Sequence, residues 1–318
     1  MPGLDLARLK RLQLRRVPCV QIALAELLLR WDYRFPRRTE IALEGLENLP
    51  RDRSVFLAMN HTDRYNYWPL QYAIYRAGGH RYTATWVKGK YYRSSFLGGF
   101  MDATNNIPVP SRGYVIASEF ARATGRVPDA DEYRALRDAM EGGPVSDAPL
   151  PSGADAGFIS RCDRLFDRMA REVVRLNRRA LGPLQLHVLV FPQGTRSKRL
   201  SRGHDGLAQM ANHLGAAIVP VGCNGSDRLY PGASPFSRGG RAVYRIGRPL
   251  EPEGPELGPL RVREPFAPLS REAGRFHGER FSAATSVVME RIDALLDPEY
   301  RFAEDHASDG VAGMSRFV

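Results

Sequence analysis

Four short apolar runs constrain this chain more than any other feature, because each has the length of a strand and ends abruptly in turn residues. They are SVFLAM (residues 54–59), YTATWV (82–87), HVLVF (187–191) and AIVPV (217–221). Between them lie stretches with helical spacing. Residues 66–76 carry aromatics and Leu on a helical period and stop at Gly78-Gly79, and residues 206–213 form another such stretch. Strands alternating with helices predict an α/β domain, with a mostly parallel central sheet flanked by helices. Residues 39–43 and 242–246 predict further strands. A chain of 318 residues buries roughly three quarters of its unfolded surface on folding, so such a core needs no staples.

Three parts are expected along the chain. Residues 1–38 form an N-terminal amphipathic helical segment, basic at first (Arg8, Lys10, Arg11, Arg15, Arg16) and then rich in Leu and Ala. Two readings fit it: an interfacial helix on anionic lipid, or a helix that packs its Leu face on the domain. Its longest apolar stretch, residues 17–29, is interrupted by Gln21 and Glu26 and falls short of the roughly 20 residues of a membrane span. No secretory signal pattern is present. Residues 39–298 form the α/β domain, with an insertion at 113–182. Within the insertion, charged helical stretches (115–124, 131–141) precede a linker-like run, GGPVSDAPLPSGADAG (142–157), and then a basic amphipathic helix (158–180). A Pro-rich stretch after Pro249 leads into a helix through residues 282–296, and residues 299–318 read as a flexible tail.

Charge narrows the partners. Lys and Arg number 46 against 35 acidic residues, a net charge of +11. A surplus of that size favours an anionic partner, or else reflects Arg on solvated faces. Nucleic acid is not expected, since no zinc-finger spacing, ribonucleoprotein motif or paired glycine loop accompanies the charge. Cys19, Cys162 and Cys223 lie far apart without a C-x-x-C pair, so neither a metal site nor a disulfide framework is indicated and a reducing cytosolic setting fits.

Two segments carry chemistry. Asn60-His61-Thr62-Asp63-Arg64-Tyr65-Asn66 follows the first buried strand directly, and functional groups of open α/β sheets gather at such strand ends. A histidine there can take a proton from a hydroxyl near neutral pH, provided its other nitrogen is oriented by a partner. Asn66, five residues on at the start of a helix, can fold back to serve. Phe191-Pro192-Gln193-Gly194-Thr195-Arg196-Ser197 follows another apolar strand. Gly194 admits close backbone approach, Thr195 and Ser197 offer hydroxyls, and Arg196 presents a fork suited to phosphate.

Together these segments resemble the blocks of the glycerol-3-phosphate and lysophosphatidic acid acyltransferase family. Its Asn-His-x4-Asp block is matched by NHTDRYN at residues 60–66, and its Gly…Arg block by Gly98-Gly99-Phe100 through Ile107-Pro108-Val109 to Arg112. Its Phe-Pro-Glu-Gly-Thr-Arg-Ser block is matched by FPQGTRS (191–197) and its Val-Pro-Val segment by IVPVGC (218–223). Weaker echoes lie at residues 45–50 and 246–249, and the resemblance spans residues 41–249.

The resemblance implies transfer of an acyl group from acyl-CoA or acyl carrier protein to a hydroxyl of a lysophospholipid or related acceptor, with no cofactor. It implies a peripheral protein on the cytoplasmic face of a membrane. It makes His61 the general base oriented by Asn66, and puts Asn60, Arg112, Gln193, Gly194, Thr195 and Arg196 on the substrate, the two arginines at its phosphate. The absence of a G-x-S-x-G elbow agrees with transfer that needs no acyl-enzyme.

Two departures stand out: Asn66 replaces the family's orienting Asp, and Gln193 its motif Glu. In serine proteases the corresponding Asp→Asn change lowers kcat about 10⁴-fold, roughly 5 kcal/mol. A catalytically silent relative that binds lipid or acyl carrier is therefore a second reading. Asp63 is a local carboxylate that can compensate, though its spacing favours a loop cap or an ion pair with Arg64. The aromatics Tyr65, Tyr67, Trp68, Tyr72 and Tyr75 are read as core packing rather than an acyl tunnel, and His204 and Asp205 as surface loop.

Overall fold

The computed structural model describes residues 3–141, 154 and 157–302. Its helices are α1 (Leu6–Arg11), α2 (Cys19–Ala23), α3 (Arg30–Asp32), α4 (Tyr67–Ala77), α5 (Ser95–Ala103), α6 (Arg112–Thr124), α7 (Ala130–Glu141), α8 (Phe158–Leu181), α9 (Gly206–Leu214), α10 (Ser226–Leu229) and α11 (Arg271–Asp293). A π-helical stretch, Leu24–Leu29, joins α2 to α3. The strands are β1 (Thr39–Glu44), β2 (Phe56–Met59), β3 (Thr83–Lys88), β4 (Asn106–Val109), β5 (His187–Val190), β6 (Ile218–Asn224) and β7 (Gly240–Ile246).

The described chain divides into two compact units. The larger comprises residues 14–86, 103–105 and 177–302, and the smaller residues 3–13, 87–102, 106–141, 154 and 157–176. This is a different cut from the expected 1–38, 39–298 and 299–318. Residues 3–13 and 14–38 fall in different units, and the central part of the smaller unit starts at 87 rather than 113. Most of the expected linker (142–153, 155 and 156) and most of the expected tail (303–318) lie outside the described residues.

In the larger unit the strands run in the order β1-β7-β6-β2-β5-β3. Every neighbouring pair is parallel except β6 with β7. The expected mostly parallel sheet flanked by helices is thus the observed one. All residues of β2, β5 and β6 are buried, as strands covered on both faces must be, and this explains their unbroken apolar runs. In β7 only Ala242, Tyr244 and Ile246 are buried, the period of a strand with one covered face. α4 packs on β1, and α11 on β6 and β2. α4 stops where Gly78 takes φ +68°, a conformation that Gly adopts without steric penalty.

The two weaker sequence echoes meet in this unit. Asn48 Nδ2 donates to the carbonyl of Ile246 at 2.8 Å, and Gly45 (φ +74°) sits so close that a Cβ there would lie 2.3 Å from the same oxygen. They are parts of one turn-to-strand contact.

In the smaller unit α8 buries Phe158, Cys162, Phe166, Met169 and Val173 on one face. The Leu4 N–H donates to Tyr114 Oη at 2.8 Å, and Arg8 pairs with Asp102 at 2.8 Å. β4 and α5 went unread as elements in the sequence, because a four-residue strand containing Pro108 and a helix containing Gly98-Gly99 give little periodic signal.

Candidate active site

Parallel neighbours β5, β2 and β6 end at the same edge of the sheet, so the loops after them converge. Asn60 leaves β2 and ties this edge together. Its Oδ1 accepts from the N–H of Cys223 at 2.7 Å, and its Nδ2 donates to the carbonyl of Cys223 at 2.9 Å. Both amide atoms are thereby committed, and the residue is 2% exposed. Asn60, expected at the substrate, thus forms a clip that continues the β2–β6 pairing through a side chain.

His61 is half-buried and held from three sides. Its ring stacks on Phe191 with centroids 4.0 Å apart and planes 21° from parallel. The N–H donates to Gln193 Oε1 at 3.2 Å, and the carbonyl accepts from the Ser197 N–H at 2.9 Å. The two motif loops therefore form one structure.

The third hold is on the ring. Asn66 folds back so that its Oδ1 lies 3.2 Å from His61 Nδ1, while its own Nδ2 donates to the carbonyl of Asn60 at 2.9 Å. A carbonyl accepts and never donates, so the Asn60 oxygen fixes which end of the amide faces the ring. Oδ1 then requires a proton on His61 Nδ1, and the lone pair of the ring falls on Nε2. Asn66 is fully buried, and its backbone carbonyl accepts from the Tyr244 hydroxyl at 2.7 Å.

Gln193, 3% exposed, repeats the pattern. Its Oε1 receives the His61 N–H, while its Nε2 donates to the carbonyl of Thr195 at 3.0 Å and to Ser197 Oγ at 2.8 Å. A glutamate here would set an oxygen against the Thr195 carbonyl. Both departures from the family's carboxylates are thus matched by backbone carbonyls that need a donor.

Gly194 turns the loop at φ +64°, and its N–H donates to the Phe191 carbonyl at 2.9 Å. A Cβ there would lie 2.9 Å from His204 Cδ2. His204, read from sequence as surface loop, is exposed but packs its ring on this turn, and its N–H donates to the Pro192 carbonyl at 2.9 Å. The sequence held no signal for that contact beyond proximity to the block.

Arg196 follows Thr195 and is half-buried. Its Nη1 is buried without a hydrogen-bond partner among the described residues. Lys198, two residues on, shares Glu299 with Arg228, at 2.7 and 2.9 Å.

Arg112 lies in the smaller unit at the start of α6. Its Nη1 donates to Asp163 at 2.7 Å, and its guanidinium lies 4.4 Å from the centroid of the Phe166 ring. One arm of the expected phosphate fork, Nη1, is thus held by a carboxylate from the inserted region.

Asp63 caps its loop. It accepts from the Tyr65 N–H at 2.8 Å and from Thr62 Oγ1 at 2.9 Å, and no ion pair with Arg64 exists among the described residues. Burial pushes its carboxyl up to about 6, although the Tyr65 N–H favours the charged form. Of the aromatics that follow, Trp68 is buried and the four tyrosines are half-buried. Trp68, Tyr72 and Tyr75 line a cavity of about 250 Å³ with Ile22, Leu24, Ala25 and Leu29, so core packing describes only part of the run.

No protein-family model matches this chain, and no curated protein does. Among solved structures it is similar to the 1-acyl-sn-glycerophosphate (LPA) acyltransferase PlsC from Thermotoga maritima, at 16% sequence identity over 88% of this chain and 80% of that one, with a TM-score of 0.43.

Proposed function

We propose that this chain moves a fatty acyl group from a thioester, on coenzyme A or an acyl carrier protein, to a hydroxyl of a lysophospholipid or glycerol-phosphate-like acceptor. His61 Nε2 takes the hydroxyl proton as the oxygen attacks the thioester carbonyl. The C–S bond then breaks, and the imidazolium returns that proton to the departing thiolate.

The observation that carries this reading is the amide of Asn66 held by the Asn60 carbonyl. The penalty for an asparagine in a catalytic triad arises from the wrong histidine tautomer. Here the amide nitrogen is already engaged, so the ring keeps the tautomer that a general base requires. What Asn66 fails to supply is charge for the imidazolium, and the site works without that stabilisation.

Arg196 supplies the phosphate contact, since its Nη1 has no hydrogen-bond partner among the described residues and a phosphomonoester offers the acceptors that it needs. Gly194 and Thr195 line the approach. Arg112 has its charge met by Asp163 and has no part in this reading, while Asn60 and Gln193 position the His61 loop.

A peripheral seat on a membrane fits the segment before β1. Among the described residues no helix is long and apolar enough to cross a membrane. Leu27, Trp31 and Phe35 are 75%, 60% and 62% exposed at four-residue spacing, alongside Arg30, Arg34 and Arg38. Apolar side chains beside cations form the pattern of an interfacial segment on anionic lipid.

The test is release of free thiol from acyl-CoA or acyl carrier protein in the presence of lysophosphatidic acid. His61→Ala should lower the rate at least about 10²-fold. Equal release by that variant would remove the mechanism. Binding of lipid or carrier without any turnover by the wild type would favour the silent relative suggested by the missing carboxylates.

A further inference from the structure

The insertion carries a feature that acyl transfer at His61 leaves unexplained. On α8 the residues Arg161, Arg164, Arg168 and Arg171 are all exposed, at alternating spacings of three and four. At 100° and about 1.5 Å per residue they form one row along the helix, with steps of about 5–6 Å. The opposite face is buried, so the row points outward.

Most carboxylates of this helix are already engaged. Asp163 is bound by Arg112 at 2.7 Å and Glu172 by Arg175 at 2.6 Å. Asp167 lies on the flank of the row. Arg164, Arg168 and Arg171 have no carboxylate within ion-pair distance among the described residues. An ordinary solvated helix face mixes signs, whereas here at least three neighbouring guanidinium groups face outward beside a single aspartate, Asp167, and none of them makes an ion pair among the described residues.

We infer that this arginine row docks a protein surface rich in carboxylates, and that its partner is the acidic acyl carrier protein that delivers the thioester. The identity of the partner rests on the acyl-transfer reading; the docking surface itself does not. The composition of the face selects protein over the other polyanions. No large hydrophobic residue of α8 is exposed, unlike Leu27, Trp31 and Phe35, so the row lacks the apolar anchors with which a helix enters lipid. Both aromatics of α8, Phe158 and Phe166, are buried, so nothing on this face stacks on a base. An acidic helix repeats its own charges at the same three- and four-residue steps and so matches the row in register.

The experiment measures binding of fluorescently labelled palmitoyl–acyl carrier protein to the full chain by anisotropy, apart from turnover. Wild type should bind, with affinity falling steeply as salt rises. The triple variant Arg164→Glu/Arg168→Glu/Arg171→Glu should bind at least about tenfold more weakly. Its turnover of acyl-CoA should stay within about twofold of wild type, because docking of a carrier is not needed for that donor. The triple Arg→Lys variant, which keeps the charge, should retain most of the affinity, and circular dichroism of both variants checks the fold.

Unchanged carrier binding by the Glu variant, or no carrier binding by wild type at about 150 mM salt, would overturn the inference. So would loss of binding to anionic vesicles or duplex DNA in the Glu variant while carrier binding persists. If wild type turns over neither donor yet binds carrier through this row, acyl transfer fails and the docking surface stands.

Discussion

Asn66 meets His61 with its carbonyl oxygen, 3.2 Å from Nδ1, because its amide nitrogen is spent 2.9 Å away on the carbonyl of Asn60. An amide at this position satisfies both neighbours at once. A carboxylate in the same place would face the Asn60 carbonyl with no proton to offer.

Restoring the carboxylates should harm this site. Asn66→Asp and Gln193→Glu each remove a buried donor and place an acidic oxygen against a backbone carbonyl. Each should cost about 1–3 kcal/mol of stability, read by denaturant unfolding, with no gain in turnover. A tenfold or greater rise in thiol release for either variant would show that the amides are a lapse rather than a fit.

Arg196 gives a prediction with two readouts. Arg196→Ala should raise KM for a phosphate-bearing acceptor about tenfold or more, while leaving KM for the acyl donor near its wild-type value. Its stability should stay level or rise, since a buried guanidinium nitrogen with no partner among the described residues is removed. Unfolding curves together with separate donor and acceptor titrations check both parts.

The sheet was legible in the sequence because its central strands are buried on both faces, so β2, β5 and β6 had to be written as apolar runs. The His61–Asn66 contact was legible too, because five residues at a strand-to-helix turn bring the two ends together. Contacts between distant segments were not. The clip from Asn60 to Cys223 spans 163 residues, and nothing local marks Cys223 as its partner. Arg112 looked available until the fold brought Asp163 to it from an inserted helix. The choice of Gln193 over Glu became intelligible only once Thr195 was seen to present a carbonyl.

Two buried groups should give stability an unusual dependence on pH. Asp63 is raised by burial to about 6, so the fold favours its protonated form. Its contribution is complete below about pH 4 and is lost as pH rises through about 6. Wild type should therefore lose about 2–3 kcal/mol relative to Asp63→Asn between about pH 4 and about pH 8. His187 runs the other way. Burial, helped by the charges of Arg81 and His80, lowers it to about 3, so its contribution is present above about pH 6.5 and fades as pH falls toward 3. Denaturant unfolding of wild type and Asp63→Asn across this range checks the first claim, and parallel curves would contradict it.

The most direct test is ¹⁵N NMR of the His61 ring at neutral pH, assigned by comparison with His61→Ala. The hydrogen bond to Asn66 predicts a protonated Nδ1 and an unprotonated Nε2, and Asn66→Ala should release that preference. A proton resident on Nε2 in the wild-type ring would mean that Asn66 presents its nitrogen to the ring, and the imidazole would then have no lone pair where an acceptor hydroxyl needs one.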